Sequence, residues 1–372
     1  MRALKEKLRY LITIILSSAL ILGFGLWFML KEPTEYSESE RRTLSVLPDF
    51  SVSDVLSGKY MKDFESASPD QFPLRDLFRS IKAYASEYVF NKKDNNKIFL
   101  ADSHLSKLEY PQNNAMIEHA TEKFNYIYEQ YIKDTDASVY LSVIPDKNCF
   151  IAEENGYLSV DYDKFAADVH EGFSVSQYID VKPLLSKDDY YTTDTHWRQE
   201  KIVDVAQKLC DGMNIPFVGN FTENTLDAPF YGVYYNQAGL KLPSDSIVYL
   251  TNDIINGCVV NNFDTGKAVK FPMYDMEKAK SADPYEMFLS GTVAISTIEN
   301  PAAGEKNELI VFRDSFGSSV VPLMAGSFSK ITVVDIRYVS STYLEGFVDF
   351  GSADNVLFLY STVLLNNSLA MK

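Results

Sequence analysis

Two stretches of this chain hold residues that could do acyl chemistry together. Residues 190–198 read Tyr-Tyr-Thr-Thr-Asp-Thr-His-Trp-Arg, and residues 311–317 read Val-Phe-Arg-Asp-Ser-Phe-Gly. His196 is one of only four histidines in 372 residues, and imidazole is the side chain best suited to moving protons near neutral pH. Asp194 could fix its tautomer and stabilise the imidazolium. In an extended segment, residues two apart project to the same side. Ser315 is the matching nucleophile. It falls where a strand at 308–312 should turn into a helix at 318–325, so that its hydroxyl emerges at the carboxyl end of a sheet. The free N–H groups of a helix start point the same way, and such donors stabilise an oxyanion. A plainer reading uses the same residues. Asp194 could cap the helix that follows, with His196 packed beneath Trp197, and Asp314 or Ser315 could be a helix cap. Spacing alone leaves both readings open.

The remaining histidines and cysteines point to no other chemistry. Ala101-Asp102-Ser103-His104 also presents Asp-Ser after a short strand, but no helical pattern follows, so a hairpin turn is expected. His119 sits mid-helix off the apolar stripe, and His170 lies in a polar Val-His-Glu-Gly loop. Cys149, Cys210 and Cys258 are too widely spaced for a CxxC pair or a zinc ribbon. They leave room for at most one disulfide, and buried free thiols are the expectation. His-x-x-x-His pairs and Gly-rich phosphate loops are absent from the sequence, so neither a metal nor a cofactor is expected.

The elements that must carry these residues read as α/β. A helix is expected from Pro73, in its first turn, to about residue 90, with Leu77, Ile81, Tyr84 and Tyr88 on one face. A short helix is expected within 50–67, and a hairpin over 97–100 and 106–110. A long helix should follow over 111–133, with Met116, Ala120, Phe124, Ile127 and Tyr131 at helical spacing. The apolar run 137–145 suits a buried parallel strand, and a helix is expected over about 198–213. Strands are expected at 308–312, 330–336 and 355–360. Residues 214–300 are rich in Tyr, Asn, Asp and Gly with short β-prone pieces, and read as an insertion. Strand, loop, helix and strand in this order indicate an α/β sheet.

Ahead of these elements, residues 10–30 carry no formal charge over 21 positions, enough at about 1.5 Å per residue to cross a bilayer core of about 30 Å. Arg2, Lys5, Lys7 and Arg9 precede the run against Glu6 alone, which keeps the N-terminus in the cytoplasm. The run exceeds the apolar region of about 7–15 residues usual in a cleaved signal peptide, and leaves through Trp27-Phe28-Met29-Leu30-Lys31 rather than a small-residue site. The expected order is a cytoplasmic tail (1–9), an uncleaved transmembrane signal anchor (10–30), a juxtamembrane linker (31–50) and an extracytoplasmic domain (51–372). Residues 32–372 hold 30 Lys and Arg against 50 Asp and Glu, a net charge of −20. Nucleic acid needs a basic face and is excluded as a partner; anionic lipid surfaces are disfavoured for the same reason.

Tyr191-Thr192-Thr193-Asp194-Thr195-His196-Trp197, followed by Val311-Phe312-Arg313-Asp314-Ser315-Phe316-Gly317, resembles the DHHW proteins of Gram-positive bacteria. These are similar to the alginate O-acetyltransferase proteins of the SGNH-hydrolase-like class. The resemblance extends to Asp70-Gln71-Phe72-Pro73-Leu74-Arg75, Ile144-Pro145-Asp146-Lys147 and Val334-Asp335-Ile336-Arg337-Tyr338. Two positions depart from it. Thr195 stands where the family name implies His, and Arg313 stands where SGNH enzymes have Gly before Asp-Ser. Their separate Gly and Asn oxyanion residues are left unassigned in this sequence.

The resemblance implies an SGNH-hydrolase-like parallel sheet flanked by helices, and a triad in chain order Asp194, His196, Ser315. Ser315 would be the nucleophile, His196 the general base and acid, and Asp194 its orienter. It implies acetyl transfer through serine to a hydroxyl of a cell-surface or exported polysaccharide, with a membrane-bound O-acyltransferase as partner. Arg337 and Lys147 could serve the site electrostatically or form structural ion pairs. Trp197, with Tyr231, Tyr234 and Tyr235, could stack on sugar rings or belong to the core. A carbohydrate O-acetylesterase would use the same triad with water as acceptor, and a polysaccharide-binding or export scaffold would leave it inert.

Overall fold

A computed structural model describes residues 2–37, 40, 42–304 and 306–372, with side chains from Lys5 onward. Of the linker residues, Glu38, Ser39 and Arg41 lie outside the described residues. The chain divides into two units, Met1–Asn95 with Asn236–Lys241, and Asn96–Tyr235 with Leu242–Lys372.

The second unit is built on an eight-stranded sheet. Its strands are β1 (Ser138–Ile144), β2 (Gln177–Tyr178), β3 (Val259–Asn262), β4 (Val269–Phe271), β5 (Ile295–Glu299), β6 (Glu308–Arg313), β7 (Lys330–Val334) and β8 (Asn355–Ser361). They lie in the order β4-β3-β5-β7-β6-β8-β1-β2. β7, β6, β8, β1 and β2 run parallel to one another. β5, β3 and β4 extend one edge antiparallel. Three strands of the β-rich region 214–300 thus join the central sheet, while Thr222–Thr225 and Val248–Thr251 pair separately.

The central strands read as unbroken apolar runs because both faces are covered. Leu309 and Val311 of β6 pack with Val205, Leu209, Val320 and Met324. Their neighbours Ile310 and Phe312 pack on the other face with Phe124, Ile127, Phe165 and Val169. The helices supplying those residues are α5 (Asn114–Ile127), α6 (Tyr162–Gly172), α7 (Val203–Gly212) and α8 (Gly317–Met324). The result is three layers. The chain leaves β6 through α8 to β7 on one side, then returns past β6 to β8 on the other. Such a reversal opens a crevice at the carboxyl ends of the strands, and residues 314–316 occupy that position.

Several boundaries differ from the sequence expectation. The helix expected at 111–133 begins at Asn114 and ends in a π turn at Tyr128–Ile132. The one expected at 198–213 is interrupted. A 3-10 turn at Gln199–Lys201 is followed by Ile202 outside helical geometry, and α7 starts at Val203. Asp102 and Ser103, both at positive φ, make the expected two-residue hairpin turn between Ile98–Ala101 and His104–Lys107.

The first unit holds α1 (Arg2–Leu30), α2 (Val52–Ser57), α3 (Lys59–Gln71) and α4 (Arg75–Tyr84), which continues as a π turn to Val89. Two helices therefore occupy the region where one short helix was expected. α1 is long and apolar enough to cross a membrane. α4 starts two residues later than the Pro73 expectation, because Leu74 takes the left-handed conformation at φ 56°.

Phe358 tests the layered core. It is fully buried and stacks on Phe312 at 4.8 Å, with Phe124 at 5.0 Å and Phe173 at 4.9 Å. Phe358→Ala should cost about 3–5 kcal/mol of unfolding free energy, read from the shift of the urea midpoint at unchanged slope.

Candidate active site

Residues 190–198 fold back on themselves instead of starting a helix. Tyr190 and Trp197 form an antiparallel bridge. The Tyr191 N–H donates to the His196 carbonyl at 3.1 Å, and the Arg198 N–H to the Asp189 carbonyl at 2.7 Å. Asp194 therefore caps no helix. Its Oδ1 accepts from the His196 backbone N–H at 3.0 Å and from His196 Nδ1 at 2.6 Å, and its Oδ2 accepts from the Val233 N–H at 2.8 Å. Burial alone would raise this carboxyl, but the His196 imidazole and the donated N–H groups outweigh it and hold the group well below the ordinary carboxylate range.

That contact settles the imidazole. A carboxylate only accepts, so Nδ1 carries a proton, and in the neutral ring Nε2 keeps its lone pair. Nε2 faces Ser315 Oγ at 2.8 Å across 119 residues of sequence. The ring is also held face-on by Tyr285, 3.9 Å away and 10° from parallel, with Phe316 at 5.1 Å. The Tyr285 hydroxyl donates to Ser319 Oγ at 2.9 Å. Nothing in the local sequence around Tyr285 marked it.

Three further groups brace the loop. Asp245 Oδ1 accepts from the Thr192 N–H and hydroxyl at 2.9 and 2.6 Å, and Oδ2 from those of Thr193 at 2.8 and 2.5 Å. Gly232 lies so close that a Cβ there would sit 2.2 Å from Asp194 Cβ and 2.4 Å from its Cα. Lys147 Nζ donates to the carbonyls of Tyr191 at 2.7 Å and Asp194 at 2.8 Å.

Ser315 is the only residue from Leu309 to Ala325 that is not buried. Its turn is fastened by Asp314, whose Oδ1 accepts from the Phe316 N–H at 3.0 Å, and whose Oδ2 accepts from the Ser361 N–H and hydroxyl at 2.9 and 2.5 Å. The Ser315 backbone N–H has no acceptor among the described residues. Arg313, in place of the SGNH glycine, turns inward. Its guanidinium is 3.4 Å from Asp335 and donates to the carbonyls of Asp314 and Gly291, both at 3.3 Å.

The other expected site residues are engaged by neighbours of their own. Trp197 is fully buried, and its indole N–H donates to the Phe316 carbonyl at 3.0 Å and Ser319 Oγ at 2.9 Å. It joins the two motifs and offers no face to a sugar. Lys147, 1% exposed, has its amine committed to loop carbonyls. Arg337 is partly exposed and pairs with Asp335 through two bonds of 2.9 and 2.6 Å. Tyr234 is buried with its hydroxyl on Thr195 Oγ1 at 3.0 Å, whereas Tyr231 is 40% exposed and contacts Tyr235 at 4.6 Å. His119 meets Ser368, and His104 and His170 bond backbone carbonyls. The three cysteines are free thiols, and burial pushes Cys149 and Cys210 up to about 12.

Lys147 gives a pH signature. Burial pushes its amine from an ordinary 10.5 to about 7, against the pull of Asp194, Asp245 and Asp146. Between those values the unfolded chain binds the proton that the folded chain has released, so this group makes stability rise with pH from about 7 upward. Subtracting the unfolding free energy of Lys147→Met from that of the wild type, measured from pH 6 to 10, should leave a difference that grows in favour of the wild type above pH 7.

No family model matches the chain, and neither does any curated protein. Among solved structures it is similar to a DHHW family protein from Eubacterium siraeum, at 20% identity and a TM-score of 0.54, over 73% of this chain and 92% of that one. It is also similar to Bacillus cereus PatB1, at 19% identity and a TM-score of 0.56, over 73% of this chain and 97% of that one. A second PatB1 structure, solved with a sulfonyl adduct, matches at 19% identity and 0.54, over 72% and 95%. The fold expected from the paired motifs is thus one that a DHHW family protein has.

Proposed function

We propose that the chain is a membrane-anchored, extracytoplasmic O-acetyltransferase that passes acetyl through Ser315 to a hydroxyl of a cell-surface or exported polysaccharide. The observation that carries this reading is the continuous line Asp194 Oδ1–His196 Nδ1 at 2.6 Å and His196 Nε2–Ser315 Oγ at 2.8 Å. Both bonds fall within the reach of about 2.6–3.2 Å that such proton transfers need.

In the first half-reaction Ser315 Oγ attacks the acetyl carbonyl carbon and its proton moves to His196 Nε2. The carbonyl electrons collect on oxygen, where the free Ser315 N–H is a ready donor. Collapse breaks the bond to the donor's leaving group, which takes the proton from Nε2, and leaves an acetyl ester on Ser315. In the second half an acceptor hydroxyl gives its proton to Nε2 and attacks the ester carbon, the bond to Oγ breaks, and Ser315 Oγ takes the proton back from Nε2. Asp194 stays ionised throughout and stabilises the imidazolium by charge and orientation.

α1, with its basic flank of Lys5, Lys7 and Arg9, supports a span with the N-terminus in the cytoplasm. The resemblance to DHHW and alginate O-acetyltransferase proteins supports the polysaccharide acceptor and a membrane-bound O-acyltransferase as the source of acetyl groups. Of Trp197, Tyr231 and Tyr234, only Tyr231 is exposed, at 40%, and we assign acceptor stacking to it. PatB1 was solved with a sulfonyl adduct, and sulfonyl reagents are suitable probes here too.

Hydrolysis of an activated acetyl ester by the detergent-solubilised chain should fall by about 10⁴-fold or more in Ser315→Ala and in His196→Ala. Equal turnover by Ser315→Ala would remove the nucleophile. Adding acetyl-free polysaccharide fragments should divert acetyl from water to sugar; release to water alone, whatever the acceptor, would instead mark an acetylesterase.

A further inference from the structure

The first unit leaves an apolar surface uncovered. Leu77, Ile81, Tyr84 and Tyr88, the stripe that should have faced a core, are 38–64% exposed. The same unit contains a groove of about 850 Å³ in which Ile21, Phe24 and Phe28 of α1 face Phe64, Phe72 and Phe78. Phe24 stacks on Phe72 at 5.7 Å and meets Phe78 at 5.9 Å, and Phe28 meets Phe64 at 6.3 Å.

The depth of this groove follows from the length of the span. Arg9 and Lys31 bracket an uncharged run of 21 residues, and crossing the hydrocarbon takes about 20. Residues 21–28 cannot then lie outside the bilayer, so the rings of α3 and α4 that touch them share their depth. Several of the charges nearest the groove are paired, as a hydrocarbon boundary requires, while Lys62 and Glu65 of α3 stay exposed. Asp70 accepts two bonds from Arg42, at 2.8 and 2.5 Å, and Glu40 pairs with Arg75 and Arg79. The acidic excess also lies elsewhere: residues 32–95 hold 9 basic and 12 acidic side chains, against 21 and 38 in residues 96–372.

We propose that α3 and α4 are sunk into the outer leaflet beside the anchor, and that the groove between them and α1 holds a phospholipid acyl chain. This rests on reading residues 10–30 as a membrane span. The groove is open and lined almost wholly by hydrocarbon side chains, at the depth where acyl chains are the surrounding solvent.

Fluorescence quenching by phosphatidylcholine brominated along its acyl chains tests this on the full-length chain in vesicles. Trp27 reports the anchor. In a Trp27→Phe background, Leu77→Trp reports the exposed face and Phe78→Trp the groove, while buried Trp197 supplies a constant baseline. Emission at 77 and at 78 should fall about twofold or more relative to ordinary lipid, as that of Trp27 does. Quenching of Trp27 without quenching at 77 and 78 would overturn the proposal and leave the anchor standing. Quenching at 77 but not at 78 would mean that protein fills the groove, and would overturn the acyl-chain assignment. An unquenched Trp27 would remove the span and the proposal with it.

Discussion

Asp194 carries a charge into a place with almost no water, at 1% exposure. An unpaired carboxylate there would cost several kcal/mol, so the loop around it must deliver donors from fixed directions. Two come from His196 itself and one from Val233. The Val233 donor can approach only because Gly232 has no side chain. Asp245 then holds Thr192 and Thr193, and Lys147 gathers the carbonyls that the tight turn leaves facing inward. Satisfying one buried charge thus leaves the imidazole a single orientation.

The other half of the site depends on sheet topology. β6 ends where the chain's direction across the sheet reverses, and the turn after it is pinned to the end of β8 through Asp314 and Ser361. Trp197 couples this turn to the histidine loop through Phe316 and Ser319, and Tyr285 reaches the same Ser319 while stacking on His196. The residues around Ser315 Oγ and His196 Nε2 are consequently held on several sides, and Ser315 is left as the one residue of a buried segment that is not buried. A strained or mobile arrangement would lose the alignment that acyl transfer requires.

Much of this was legible in the sequence, and the gaps have physical causes. The apolar run at 137–145 announced a buried parallel strand and those at 308–312 and 355–360 announced strands, and β1, β6 and β8 lie there. Pairing Asp-x-His-Trp with Asp-Ser-Phe brought together residues that do meet in space. The roles of Lys147 and Trp197 were not legible, because a Lys or Trp near a motif reads as a binding group until its partners are known. Tyr285, Asp245 and Gly232 act through tertiary contacts across a region without helical or strand periodicity, so nothing local distinguished them. The reading of Asp194 as a helix cap failed because the side chain's local hydrogen bonds to His196 closed a turn instead. The α4 stripe had the spacing of a core face, yet the chain does not cover it; periodicity reports an apolar surface, not what lies against it.

The claim on which the rest turns is that Ser315 becomes acylated by virtue of its contact with His196. Mass spectrometry of the full-length chain, quenched in acid after brief exposure to an activated acetyl ester, measures this directly. One acetyl group should be found on the peptide containing Ser315, forming far more slowly in His196→Ala and absent from Ser315→Ala. Acetyl found on other residues while the Ser315 peptide stays unmodified would contradict the account.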